Sequence, residues 1–292
     1  MCGVFGFTKT TKDALAMAPF LAYAMEQRGS DSWGGTNGCE TIKLVGPILD
    51  NFYVPQHWKQ AIFHTRAATV GAVSARNAHP FVALGPGKRV IGIHNGHVTN
   101  WQYLKEKYER KDLEVDSEHI FRHLAENRSL EDLVGRGTFV WFENEDPRIH
   151  LARWNFGDLE LGTLEDGTIV FASTRDALLK AARAAKVKFT IHGLLEDSYH
   201  HVLQEGENGF FTVRKFTEKL ALGESWRNVN TGVMNGGRGN RGRGQNFGSY
   251  NGRLKICHGN SCTAQSDTYI CKDCVKKMRA LFNKEKARAI SV

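Results

Sequence analysis

The sequence predicts an α+β protein: antiparallel sheet covered by helices, then a flexible linker and a small metal-bound unit. Three observations carry this. Short apolar, β-prone runs alternate with turns through the first three quarters of the chain. A few longer amphipathic stretches interrupt them, too few for alternating strand–helix units, so helices packed on antiparallel sheet are expected. Near residue 228 the composition changes to Gly, Asn and Arg, and four of the six cysteines follow it.

The elements can be justified in order. CGVFGF is apolar and β-prone, and predicts a strand at the start of the chain. A helix follows over about Met17 to Gln27, with Pro19 tolerable only in its first turn and Gly29 as its stop. IKLVG, AIFHTRA, RVIGIHNG, TFVWF, RIHLARW and TIVFAS are strands by length and composition. WQYLKEKYER, SEHIFRHLAEN and TRDALLKAARAA have helical periodicity. The globular part is placed at residues 2–227. Residues 228–253, almost without aliphatic side chains, read as a linker that cannot bury enough apolar surface to fold. A second unit spans 254–292 and ends in a basic helix.

Charge separates the two parts. The chain has 39 Lys or Arg and 31 Asp or Glu, and residues 228–292 hold 12 of the first and three of the second. The body is therefore near neutral and the tail carries the excess, which points to a polyanionic partner for the tail. Its Arg–Gly interleaving with Phe247 and Tyr250 suits DNA or RNA; an acidic protein partner stays open beside them. No run of 18 apolar residues exists, so no membrane helix is expected, and MCGVFGFTKTTKD lacks the apolar stretch of a signal peptide. Six cysteines in 292 residues are no secreted disulfide framework; cytoplasmic thiols and a metal site are expected.

That metal site is Cys257-x₄-Cys262 followed by Cys271-x₂-Cys274. Two close thiol pairs suit tetrahedral structural zinc, which would stabilise a unit too small for a core of its own. His258 is an alternative to Cys257, and an iron–sulfur cluster is the weaker alternative to zinc. With CKDC just before the basic helix, the unit is similar to treble-clef or zinc-ribbon modules.

At the other end, Cys2 follows Met1. Removal of the methionine would leave a thiol and a free α-amine on one residue, a nucleophile beside a weak base. Further segments qualify this cysteine: RGSDSWGG at 28–35, HTRAATVG at 64–71, NAHPF at 77–81, HNGHVTN at 94–100 and DSEHIFRHL at 116–124. In this order they resemble the class II glutamine amidotransferases, whose glutaminase domains use an N-terminal nucleophile. The wording is nearest to the glucosamine-phosphate synthase glutaminase, over about residues 2–200.

The resemblance implies a four-layer αββα sandwich that hydrolyses the side-chain amide of glutamine through a Cys2 thioester. It makes Asn95 and Gly96 the oxyanion donors, Arg66 the partner of the glutamine α-carboxylate and Asp116 the partner of its α-ammonium. It places Thr69 and His79 at the border of the pocket, and Arg28 with Asp31 behind the nucleophile. No metal is implied in this domain; zinc is expected only in the tail. Two positions depart from the family: Ala67 stands where an aromatic often follows HTR, and Val70 precedes Gly71. His64 and His94 read as core histidines, and Cys39 as an ordinary buried thiol. About 65 residues beyond the domain are too few for a synthase, so ammonia would pass to a separate enzyme. A γ-glutamyl compound remains an alternative substrate. A binding protein that senses glutamine and holds nucleic acid through its tail is the alternative function.

Overall fold

The computed structural model describes residues 1–206 apart from 145 and 147, together with 211–220, 222 and 223. The linker and the four-cysteine unit expected over 228–292 lie outside the described residues.

Two antiparallel sheets form the centre. The first contains seven strands in the order β11-β9-β10-β1-β4-β2-β3. These are β1 Gly3–Phe7, β2 Ser32–Thr36, β3 Thr41–Val45, β4 Ala61–Arg66, β9 Glu160–Leu164, β10 Ile169–Ala172 and β11 Phe189–Leu194. The second contains six in the order β13-β12-β8-β7-β6-β5. These are β5 Phe81–Gly85, β6 Lys88–Val98, β7 Gly135–Glu143, β8 Ile149–Trp154, β12 Tyr199–Glu205 and β13 Phe211–Lys219.

Three apolar layers explain the stacking. Val4, Ile62, Ile93, Val140, Phe142, Leu151, Ile169 and Phe171 interdigitate between the sheets. Helices α1 (Lys12–Glu26) and α4 (Arg175–Ala185) bury Met17, Leu21, Leu178 and Ala181 against the outer face of the first sheet. Helices α2 (Trp101–Lys107) and α3 (Glu118–Ala125) bury Leu104, Ile120 and Phe121 against the outer face of the second. The order is thus helices, sheet, sheet, helices, and the α+β class expected from the sequence is observed. Among the described residues no helix is long and apolar enough to cross a membrane.

Helix α1 corrects one expectation. It begins at Lys12, with the Thr11 side chain accepting the Ala14 N–H at 3.4 Å. Pro19 therefore sits in its interior instead of its first turn. The position costs one backbone bond, to the carbonyl of Leu15. Leu15 is 41% exposed, so water can reach that turn, and the apolar face of α1 holds the helix through tertiary packing. Gly29 closes the helix as expected, its N–H donating to the carbonyls of Met25 and Glu26. Helix α4 is capped at both ends: Thr174 accepts the Ala177 N–H, and Lys186 takes the left-handed conformation at φ 57°.

Cys39 is also corrected. It is exposed, at the tip of the turn joining β2 to β3, where the Asn37 side chain accepts its N–H at 2.9 Å. A hairpin tip has no layer above it, so an apolar residue type there gains no burial.

The layer between the sheets carries much of the stability. Phe171 is fully buried in it. Phe171→Ala should destabilise by about 3–5 kcal/mol, read as a lower denaturant midpoint at an unchanged slope.

Candidate active site

Strand register brings the sequence motifs together. Strand β1 pairs with β4, setting Gly3 opposite Thr65, and β2 sets Ser32 opposite Arg66. Cys2, the residue ahead of β1, therefore lies against the end of β4 and the turn that follows. The Ala67 N–H points to its Sγ at 3.4 Å. On its other side β1 pairs with β10, where Ser173 Oγ accepts the Val4 N–H at 2.8 Å and the Ser173 N–H donates to the Val4 carbonyl. Val4 is thus fastened on both sides, by β4 and by Ser173.

Arg28 and Asp31 hold this corner from behind. The Arg28 Nε donates to the Cys2 carbonyl at 2.8 Å, and its guanidinium lies 3.6 Å from Asp158. The Asp31 carboxylate accepts the Ala68 N–H at 2.8 Å, and its own N–H donates to the Arg66 carbonyl. Gly29 is required between them: a Cβ there would meet Arg66 C and Ala67 N at 2.5 Å.

Cys2 opens on a cavity of about 940 Å³. Arg28, Thr69, Asn95 and Gly96 line it with Cys2, so five of the expected site residues share one wall. Asn95 and Gly96 come from β6, in the opposite sheet. Gly96 pairs with Gly137 of β7, and a Cβ on Gly96 would meet the Arg136 carbonyl at 2.1 Å. Only glycine permits that approach. Asn95 Nδ2 donates to Ser173 Oγ at 3.4 Å, which ties the β6 amide to the strand that also fastens Val4. Met1 stands in the cavity and is 83% exposed. Burial pushes the Cys2 thiol up from its ordinary pKa; the Ala67 N–H, the terminal ammonium and Arg66 pull the other way.

Three expected residues lie behind the wall. Arg66 is 3% exposed, and its guanidinium donates to the carbonyls of Val70, Gly71 and Ala72, folding the 67–72 turn around itself. Asp116 is 4% exposed. Its Oδ2 accepts the Val98 N–H at 2.8 Å and lies 3.2 Å from His97 Nδ1. Burial raises the Asp116 pKa, but the His97 bond, the His94 charge and the Val98 N–H bring it below the usual carboxylate range. His79 does not border the cavity. It is buried, its ring 3.9 Å from His64 and 4.5 Å from Phe81 between centroids.

Sequence reasoning missed several members of the wall, among them His97, Arg136, Phe156 and Asp158. His97 lies within HNGHVTN, next to Gly96; the others come from turns and strand positions with no motif of their own. Among the described residues no group of three or more His, Cys, Asp or Glu is placed to hold a metal ion.

The comparisons with known proteins agree with this geometry. The profile of a family described as "Glutamine amidotransferase domain" matches residues 1–231. The chain belongs to that family. Its class II, N-terminal-nucleophile type follows from its relatives. A glutamine–fructose-6-phosphate aminotransferase (isomerizing) of Methanosarcina mazei is 36% identical over 138 residues, 42% of this chain and 22% of that protein. The enzyme of the same description from Chlamydia trachomatis is 30% identical over 203 residues, 62% of this chain and 33% of its own length. Amidophosphoribosyltransferase 3, chloroplastic, of Arabidopsis thaliana is 28% identical over 61% of this chain and 37% of that protein. This amidotransferase chain thus spans well under half the length of each. A solved glutamine phosphoribosylpyrophosphate amidotransferase from B. subtilis shares the fold, with a TM-score of 0.55 at 21% identity, over 75% of this chain and 50% of that one. A structure titled as the allosteric regulatory enzyme of purine biosynthesis does so at 0.56 and 22%, with the same coverage.

Behind the amidotransferase site sit three buried histidines. Burial pushes His64 down to about 3 and His94 to about 4, and drives His79 well below its ordinary value. His64 Nε2 donates to the His94 carbonyl at 3.0 Å, and His94 Nδ1 lies 2.9 Å from Ser117 Oγ. All three are neutral in the folded state near pH 7; His64 and His94 were expected as core histidines, and His79, expected at the pocket border, joins them. The unfolded chain binds their protons below about pH 6.5 and the folded one does not. Stability should therefore fall from about pH 6.5 towards pH 4, by about 1.4 kcal/mol per unit for each histidine. Denaturant midpoints at pH 7, 6 and 5 measure this.

Proposed function

We propose that the domain hydrolyses the side-chain amide of glutamine to glutamate and ammonia through a thioester on Cys2. One observation carries the reading: Cys2 opens on the same cavity as Asn95 and Gly96, with a backbone N–H already aimed at its sulfur.

The chemistry follows from these positions. Removal of Met1, which is 83% exposed, gives Cys2 a free α-amine. That amine, with a pKa near ~8, accepts the thiol proton, and the sulfur attacks the amide carbon. The Asn95 side chain and the Gly96 N–H face the oxygen that gains charge. The amine then returns the proton to the leaving nitrogen, which departs as ammonia and leaves the acyl group on sulfur. Water attacks the thioester, the oxyanion forms again at the same donors, and glutamate leaves with the thiol restored. Arg66 and Asp116 would select an amino acid with its α-carboxylate and α-ammonium free, and Thr69 borders the bound molecule. Arg28 fixes the Cys2 carbonyl, and the buried His79 shapes the site from behind.

Ammonia would pass to a separate synthase. The domain assignment is 2–227 for the amidotransferase, 228–253 for the linker and 254–292 for a unit holding zinc on Cys257, Cys262, Cys271 and Cys274. These four thiols are a donor set suited to tetrahedral zinc, which would fold the unit and take no part in hydrolysis. The basic residues of 228–292 would bind DNA or RNA, and the protein would act in the cytoplasm.

Cys2→Ala should abolish glutamate release, and Asn95→Ala should lower kcat by about 10²–10³. An N-terminal extension that withholds the α-amine should inactivate the chain as fully as Cys2→Ala. Retained turnover in either blocked form contradicts the mechanism. Native mass measurement should show one zinc per chain, lost in Cys271→Ser/Cys274→Ser; salt-sensitive nucleic-acid binding should vanish when 228–292 is deleted.

A further inference from the structure

The two charged groups assigned to the amino-acid end of glutamine are engaged by the protein's own residues. Arg66 is wrapped by the carbonyls of its own turn, and Asp116 is held by His97. The second arrangement matters more, because His97 lines the cavity and Asp116 does not. The His97 side chain is 42% exposed and that of Asp116 6%. Both the imidazole and the Val98 N–H end on the same oxygen, Oδ2. An ammonium group arriving from the cavity meets the imidazole before it meets the carboxylate.

We propose that His97 is a positioning residue that holds the Asp116 carboxylate and yields it to the substrate α-ammonium, with release of a proton on binding. The inference rests on the reading of Asp116 as the ammonium site. Two cations cannot share one partly buried carboxylate at full strength, so the imidazolium must lose its proton or turn away.

The surroundings of His97 support this. Asp116 faces it from the segment before α3. Arg136 faces it from β7, directly across the ladder, and repels its charge. His94 lies on the same strand, buried and neutral near pH 7. Arg28 and Asp158 share the cavity wall and pair with each other. The bond to Asp116 lifts the His97 pKa above its ordinary value; burial opposes this, the Asp116 charge adds to it and Arg136 subtracts. Once an ammonium occupies Asp116, the chief support of that shift is gone and the pKa falls. A group that loses a proton on binding makes affinity rise with pH.

The experiment uses the full chain as the inert Cys2→Ala variant, so that binding is measured without turnover. Glutamine affinity is determined by calorimetry from pH 6 to pH 8, in buffers of different ionisation enthalpy. The dissociation constant should fall as pH rises, by about tenfold in total for each unit by which the His97 pKa drops on binding. The heat should report a released proton. In His97→Gln on the same background, affinity should be flat across the range and proton release should be lost. Independently, NMR titration should show the His97 pKa falling in Asp116→Asn. Affinity that keeps its pH dependence in His97→Gln, or a His97 pKa indifferent to Asp116→Asn, overturns the inference. PH-independent glutamine binding overturns it while leaving the glutaminase reading intact. Failure to bind glutamine at any pH removes that reading and the inference with it.

Discussion

The site depends on one constraint, the pairing of β1 on both edges at the centre of the first sheet. A chain end is ordinarily the least ordered part of a protein. Here the strand that follows Cys2 is hydrogen-bonded to β4 on one side and β10 on the other, and Val4 is bound twice to Ser173. Order therefore reaches to within a residue of the nucleophile. The Arg28 bond to the Cys2 carbonyl and the Ala67 N–H at the sulfur extend it by one position more. The proposed mechanism, in which the α-amine of Cys2 serves as base for its own thiol, needs such anchoring, because a frayed terminus would lose both groups together.

Much of this was legible in the sequence, for identifiable reasons. The strands read correctly, such as AIFHTRA and TIVFAS, are dense in apolar and β-branched residues. Of the strands passed over, FVALG is apolar but short, SWGGT holds two glycines, and YHHVLQE and FTIHGL carry histidines and exposed positions. Their burial comes from neighbours in the sheet, which composition does not reveal. The start of α1 was misplaced because Pro19 was weighed by local propensity, and tertiary packing decided the matter.

The site residues were legible as identities and less so as depths. Cys2, Asn95 and Gly96 line the cavity. Arg66, Asp116 and His79 lie behind the wall, and nothing in a motif states how far from the surface a side chain will sit. Partners in space were equally hidden. Asp116 and His97 are far apart in sequence and meet only because β6 runs past the segment that opens α3. His97 stands inside HNGHVTN next to Gly96, and that adjacency to an expected site residue was the sign that could have directed attention there.

The cavity wall draws its two halves from different sheets. Cys2 and the turn after β4 belong to the first, and Asn95, Gly96 and His97 to the second. No covalent segment sets the distance between the Cys2 sulfur and Asn95 or Gly96; the side chains packed between the sheets set it. That layer works as a spacer of fixed thickness. A methylene added or removed at Ile93, Val140 or Phe171 changes the gauge of the instrument as well as the strength of the fold. Geometry at such sites is felt at about 1 Å. Substitutions far from the cavity can thus detune the proposed hydrolysis in a chain that still folds, and compensating changes will be found across the layer instead of around the cysteine.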